Sequence, residues 1–249
     1  MKDQEININV TGETKELVIR KGEAAILREP EIVDVKGAIT APWEYLENKM
    51  DTLATHDETP YKLYYPENST LYVDRENKKL TLLLNEKCPL GDTITGQLVA
   101  SQELKLLEIN SEKRWSVQEL KRMLKQVRFM FANRDENLAI IAALDKFNAT
   151  VTTNVAQHSS NRGDSLNSIE RVVSGINWNN TFNLLVPIFK GGEKKKFLVE
   201  IAVDATDANV RFFLDSPDLY DLQAQVLEQA LEEEVKYFRE WGCSVVTIS

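Results

Sequence analysis

The residues of this chain that could carry out acid–base, nucleophilic or metal chemistry are two histidines, two cysteines and many carboxylates. Histidine is the commonest general base. His56 stands in Thr55-His56-Asp57-Glu58, where a neighbouring carboxylate could orient it, but a histidine of a surface loop is the plainer reading. His158 opens a polar stretch, His158 to Asp164, that reads as a turn. Neither belongs to an H-x-E or H-E-x-x-H metal pattern, and the chain has no G-x-S-x-G elbow, P-loop or G-x-G-x-x-G. Glu232-Glu233-Glu234 is a carboxylate run, but it lies on a helical pattern beside Lys236 and Arg239 and reads as a solvated face. Carboxylates from distant segments could still meet around a magnesium ion, which sequence leaves open. Arg162-Gly163-Asp164 reads as a piece of the turn. Cys88 and Cys243 have neither disulfide-framework nor zinc spacing and are expected to be small buried or half-buried thiols. The expectation is a protein without catalytic, cofactor-binding or metal-ligating residues.

Charge is distributed less evenly than chemistry. The chain carries a net −9. Yet between residues 113 and 134 seven cations (Lys113, Arg114, Lys121, Arg122, Lys125, Arg128 and Arg134) meet one acid, Glu119. Lys121, Lys125 and Arg128 recur at i, i+4 and i+7, so on one helix they would share a face. A second basic cluster, Lys190 with Lys194, Lys195 and Lys196, adjoins Gly191-Gly192, where amides and ammonium groups could hold a phosphate oxygen. Trp115, Phe129 and Phe131 lie close to the first cluster, and a basic groove with stacking rings is how single-stranded nucleic acid is held. The candidate contacts to an anionic partner are therefore Lys113, Arg114, Lys121, Arg122, Lys125 and Arg128 with the four lysines of the second cluster. The competing reading is a helix made soluble by Lys and Arg. The segment from Asp215 to Trp241 is acidic, with eight Asp and Glu against Lys236 and Arg239. The basic helix of one copy and the acidic helix of another would then be complementary, a route to a homo-oligomer.

Those residues must be positioned by the elements around them. Short apolar runs between turn residues make the first hundred residues strand-rich. Strands are expected at Glu5–Val10, Leu17–Ile19, Ala24–Leu27 and Ile32–Ile39. A short helix follows, with Ala41 as its cap, Pro42 at its first position and Leu53 near its end. Thr70–Val73 and Leu80–Leu84 read as a hairpin, and Ile94–Ala100 as a further strand. Ser116 and Glu119 have capping-box spacing, with Trp115 and Leu120 placed for a hydrophobic staple. Val117, Leu120, Leu124, Val127 and Phe131 extend the helical pattern over 116–131. A second helix is expected from Asn133 to Phe147 with Leu138, Ile141 and Leu144 inward. Asn148–Gln157 and Ser165–Val173 then read as strands flanking the polar turn. Phe182–Phe189, Phe197–Val203 and Val210–Leu214 read as a meander, with clean alternation in the second. Ser216 is the expected cap of a long helix running to Trp241 and closed by Gly242, before a last strand at Val245–Ile248. The fold class is α+β: largely antiparallel sheets, a central helix pair and a long C-terminal helix. A boundary is drawn near residue 110. It separates a strand-rich N-terminal region, residues 1–110, from a second region, residues 111–249, the two being alternatively one composite domain.

The stretch Phe182-Asn183-Leu184-Leu185-Val186-Pro187-Ile188-Phe189-Lys190-Gly191-Gly192, followed by an alternating strand and a helix, resembles the C-terminal half of an uncharacterised phage and prophage family of unassigned function. Ser101-Gln102-Glu103-Leu104-Lys105 and Trp115-Ser116-Val117-Gln118-Glu119-Leu120 resemble the segment before it, so the likeness spans about residues 92–240. The basic helix departs from the family's acidic one, and the N-terminal strands have no counterpart. The resemblance implies a phage-derived protein working in the bacterial cytoplasm and brings no site residues with it. With 43% hydrophobic and 28% charged residues the composition is that of a globular protein. No stretch approaches the roughly 20 apolar residues of a membrane span, and the polar start Met1-Lys2-Asp3-Gln4-Glu5 lacks a signal-peptide core. The N-x-S/T triplets at Asn68, Asn148 and Asn179 are then chance matches. Together these readings lead to a non-catalytic phage or prophage accessory protein that binds a macromolecule. The alternative is a single-stranded nucleic-acid-binding or recombination-associated protein using the basic helix.

Overall fold

The computed structural model describes residues 29–54, 64–88, 91–159, 176–204 and 210–248. Within them the chain forms five α-helices and eight strands in two sheets, an α+β fold. The first sheet contains β1 (Ile32–Lys36), β2 (Thr70–Asp74), β3 (Lys79–Leu83), β4 (Thr93–Gln97) and β8 (Ser244–Ile248), in the order β1-β4-β3-β2-β8. The central strands β2, β3 and β4 are antiparallel, while β1 joins β4 and β8 joins β2 in parallel. Alternation decides which face is buried: Leu71, Val73, Leu80, Leu82 and Ile94 all point to one side and are almost fully covered. Helix α1 (Ala41–Ala54) and the last turns of α5 (Asp218–Trp241) supply the cover, through Leu46, Leu231, Val235 and Phe238. At Gly96 a Cβ would lie 2.6 Å from the Ala38 carbonyl and 2.8 Å from Pro42 Cδ, so β4 needs glycine where the start of α1 crosses it.

The second sheet is the meander β5 (Thr181–Pro187), β6 (Lys194–Asp204) and β7 (Arg211–Asp215). Its inner face, from Phe182 and Leu184 through Val199 and Ile201 to Phe212 and Leu214, packs on α2 (Gln102–Leu107), α3 (Val117–Gln126), α4 (Arg134–Ser159) and the first turns of α5. Isolated bridges flank both edges of this sheet: Phe131 to Leu184 and Ala100 to Phe189 beside β5, and Trp115 to Phe212 beside β7. Helix α5 serves both cores, with Leu219 in one and Phe238 in the other, and Leu227 packs against each. Helix α5 and strand β8 therefore cross the line drawn near residue 110.

The hairpin, the meander, α1 and the last helix and strand lie where patterning places them. Other expectations are corrected. The strand expected at 148–157 is helix: α4 continues to Ser159, because Asn137, Ile140, Leu144, Phe147 and Val151 bury one face at alternating spacings of three and four. Inside this helix the Thr150 hydroxyl donates back to the Lys146 carbonyl at 2.9 Å, as a threonine on a helix can. The same face turns Leu138 outward, 53% exposed, against the expectation that it points in. His158 sits on this helix rather than opening a turn. Helix α3 stops at Gln126 and gives way to a 3-10 turn, Arg128–Met130. There the buried Asn137 amide donates to the Leu124 carbonyl at 2.9 Å, and Phe131 is drawn into the sheet edge. Ser216 does not cap α5: its hydroxyl donates to the Leu198 carbonyl at 2.6 Å and Pro217 holds the cap position. Strand β4 ends at Gln97. Cys88 is exposed, whereas Cys243 is buried with its thiol pushed up to about 11 by burial. The strands expected at Glu5–Val10, Leu17–Ile19, Ala24–Leu27 and Ser165–Val173, together with His56 and Arg162-Gly163-Asp164, lie outside the described residues.

Candidate anion-binding surface

Helix α3 begins with the capping box its sequence announces. Ser116 Oγ accepts from the Glu119 amide at 3.3 Å, and Glu119 Oε2 accepts from the Ser116 amide at 2.8 Å. The bonds from Ser116 hold the Glu119 carboxyl below the usual carboxylate range. Val117, Leu120, Met123 and Leu124 are buried, so the opposite side must carry the polar residues. The cations divide there into fastened and free. Lys121 forms an ion pair with Asp145 of α4 and its side chain is only 17% exposed. It is therefore a tie between two helices, not the solvent-facing cation that its i, i+4, i+7 spacing predicts. Arg114 lies over the Phe213 ring at 4.3 Å and reaches Asp204 at 3.3 Å. Lys113 covers the Trp115 ring at 4.8 Å. Arg122, Lys125, Arg128 and Arg134 are exposed and have no partner among the described residues. Because α3 ends at Gln126, Arg128 belongs to the 3-10 turn, and the four free cations run from the end of α3 around that turn to the start of α4.

Only one of the three expected stacking rings is available. Phe131 is buried and stacked on Phe182 with ring centroids 4.8 Å apart. Trp115 is half-buried against the core, with its Nε1 buried and unpaired among the described residues. Phe129 is 65% exposed, directly after Arg128. The second basic cluster does not act as a unit. Lys190 sits in a turn whose amide donates to the Val99 carbonyl at 2.9 Å, and its side chain lies over Gly37. A shallow cleft of about 630 Å³ adjoins it, lined by Glu103, Lys105, Pro187, Gly191 and Gly192. Lys194, Lys195 and Lys196 start β6, so their side chains alternate. Lys195 falls on the core side and bonds Glu193 at 3.2 Å, while Lys194 and Lys196 fall on the outer face. The helices that carry the first cluster cover the inner face, so Lys194 and Lys196 lie on the opposite side of the meander from it.

Two polar groupings escape sequence reasoning. Buried Asp92 accepts from the Tyr64 hydroxyl at 2.8 Å, the Tyr45 hydroxyl at 3.2 Å and the Glu31 amide at 2.8 Å. Tyr45 also donates to Glu31 at 2.6 Å, and Lys49 binds the same carboxylate at 2.9 Å. Burial, then the Glu31 carboxylate, raises the Tyr45 hydroxyl well above its ordinary value. This network ties the starts of β1 and β4 to α1, and no sequence pattern links residues so far apart. The other is Glu234, which in the sequence belongs to a solvated run but in the fold is 7% exposed on the inner side of α5. Among the described residues no group of three or more His, Cys, Asp or Glu is arranged to hold a metal ion, and no helix is long and apolar enough to cross a membrane. No family model, no curated protein and no solved structure matches the chain.

Proposed function

We propose that this is a non-catalytic accessory protein that works by binding a macromolecule, and that the macromolecule is single-stranded nucleic acid. The observation that carries the reading is an exposed ring, Phe129, in the same short segment as Arg122, Lys125, Arg128 and Arg134, exposed cations without partners among the described residues. An exposed ring can stack on any base, and guanidinium groups bind phosphate oxygens in a bidentate way. The tied cations Lys121, Arg114 and Lys113 stiffen the platform. The net charge of −9 disfavours diffuse coating of a duplex and leaves binding to this local patch. The resemblance to phage and prophage proteins supplies the setting, a bacterial cytoplasm.

The test is anisotropy of labelled single-stranded and duplex oligonucleotides titrated with protein across a salt series. With four phosphate contacts the log–log salt slope for single strands should be about −3. Phe129→Ala should weaken binding on the order of tenfold. The reversal R122E/K125E/R128E should abolish binding with an unchanged melting temperature. No binding at micromolar protein in low salt would end this reading. A second reading is favoured by the outer side of α5, where Glu232, Glu233 and Glu240 are exposed. A second copy would bring this acidic side to the basic surface. Light scattering separates the two, since only the second gives a mass that rises with concentration and falls with salt.

A further inference from the structure

We propose that a single proton held on Glu234 latches α1 onto α5. Glu234 lies on the inward side of the last helix, between the core residues Leu231, Val235 and Phe238. Its Oε2 is fully buried and has no hydrogen-bond partner among the described residues. An ionised carboxylate left in that position would be desolvated without compensation, which costs far more than the neutral acid does. This stretch of α5 covers the first sheet and also meets α1, whose Trp43 stacks on Tyr237 with centroids 5.3 Å apart and meets Phe238 edge-on at 5.2 Å.

Among the described residues the charges acting on Glu234 all have its own sign. Glu44 and Glu47 come from α1, and Glu233 from its own helix. Among the described residues no cation is one of the groups that act on Glu234. Lys49 of α1 binds Glu31, and Lys236 approaches Glu240 at 3.8 Å. Arg75 of the β2–β3 turn holds Glu228, and Arg239 lines a groove beside Val73 and Val245. Burial first, then Glu44, Glu233 and Glu47, push the Glu234 carboxyl up to about 7. The acid is therefore protonated in the packed form well above the pH at which an exposed glutamate ionises. The folded value is raised for an acid, so the packed state holds the extra proton between the unfolded and the folded value. Packing then weakens as pH rises through that window and levels off above about 7. Loosening would uncover the apolar side of α1, Trp43 and Leu46, and the Phe238 beneath it.

Hydrogen exchange of the α1 amides, expressed as protection factors so that intrinsic rates cancel, tests the latch on the full chain. In the wild type, protection should fall by up to about tenfold per pH unit between roughly pH 5 and 7, the signature of one proton, and then flatten. In Glu234→Gln, which stays neutral, the α1 profile should be flat over that range. The double variant E44Q/E47Q keeps the buried acid but removes the opposing charges, and its plateau should begin at lower pH. Wild-type α1 protection that does not depend on pH would overturn the proposal. So would an undiminished fall in Glu234→Gln, or a plateau unmoved in E44Q/E47Q. Should Glu234→Gln fail to fold, the double variant decides alone, because Glu44 and Glu47 are exposed.

Discussion

Asp92 shows what one buried carboxylate does in this chain. Three donors converge on it: two tyrosine hydroxyls and a backbone amide. Removing the acceptor leaves those donors in a site that water cannot fill freely, and the full desolvation cost then appears. Asp92→Ala should therefore lower stability by about 2–4 kcal/mol, read as a shift in urea midpoint at unchanged slope. Tyr64→Phe, which removes only one donor, should cost about 1 kcal/mol. Lys121 makes the opposite point. Its spacing marks it as a binding cation, and the ion pair with Asp145 takes it out of that role. Spacing fixes which face of a helix a residue occupies. It does not fix what stands opposite.

Among the elements, the most legible are those with a local signature. Ser116 and Glu119 announce the start of α3, and Gly242, with φ +89, ends α5 as its position after the last apolar residue requires. Alternation locates the meander strands. Where two signals compete, patterning fails. Thr150, Val151, Thr152, Thr153 and Val155 are β-branched and argue for a strand, yet the buried face of α4 runs on through Val151 and the segment stays helical. Strand propensity is largely a statement about packing surfaces, so a continuous helical seam overrides it. Gly96 is the corresponding test of packing in a strand. A methyl group there meets the Ala38 and Ile39 carbonyl oxygens and Pro42 Cδ, all within 2.9 Å. Gly96→Ala should cost about 1–3 kcal/mol of overpacking and weaken the seat of α1. A calorimetric melting temperature equal to that of the wild type would contradict that contact.

Over the whole molecule, the two sheets are joined by the end of the chain. β8 pairs with β2 in register Thr70 to Ser244 through Asp74 to Ile248, across more than half the sequence. The buried face of the first sheet is closed by Leu231, Val235 and Phe238 of α5. A fragment of residues 1–110 would keep β1 to β4 but lose both that cover and the neighbour of β2. It should show no cooperative unfolding transition by circular dichroism in urea. A sharp transition in that fragment would mean that the strand-rich region is an independent domain. Contacts of such sequence separation also make folding slow relative to the helix pair α3–α4, whose partners are close in sequence.

The class of the fold, the capped helix, the hairpin, the meander and the long last helix are all legible in the order of residues. Each rests on periodicity or capping within about ten to twenty-five residues, a range over which local geometry dictates which side chains share a face. The positions of the cations are legible in the same way. Which of them are free is a matter of packing, because Arg122, Lys125, Arg128 and Arg134 differ from Lys121, Arg114 and Lys113 only in what the fold sets beside them. Packing likewise leaves Phe129 exposed and Phe131 buried, two residues apart. It turns Glu234 inward from a run of three glutamates that reads as surface. In each case the outcome depends on burial against an element distant in the chain, and the cost of desolvating a charge or ring is set by that neighbour.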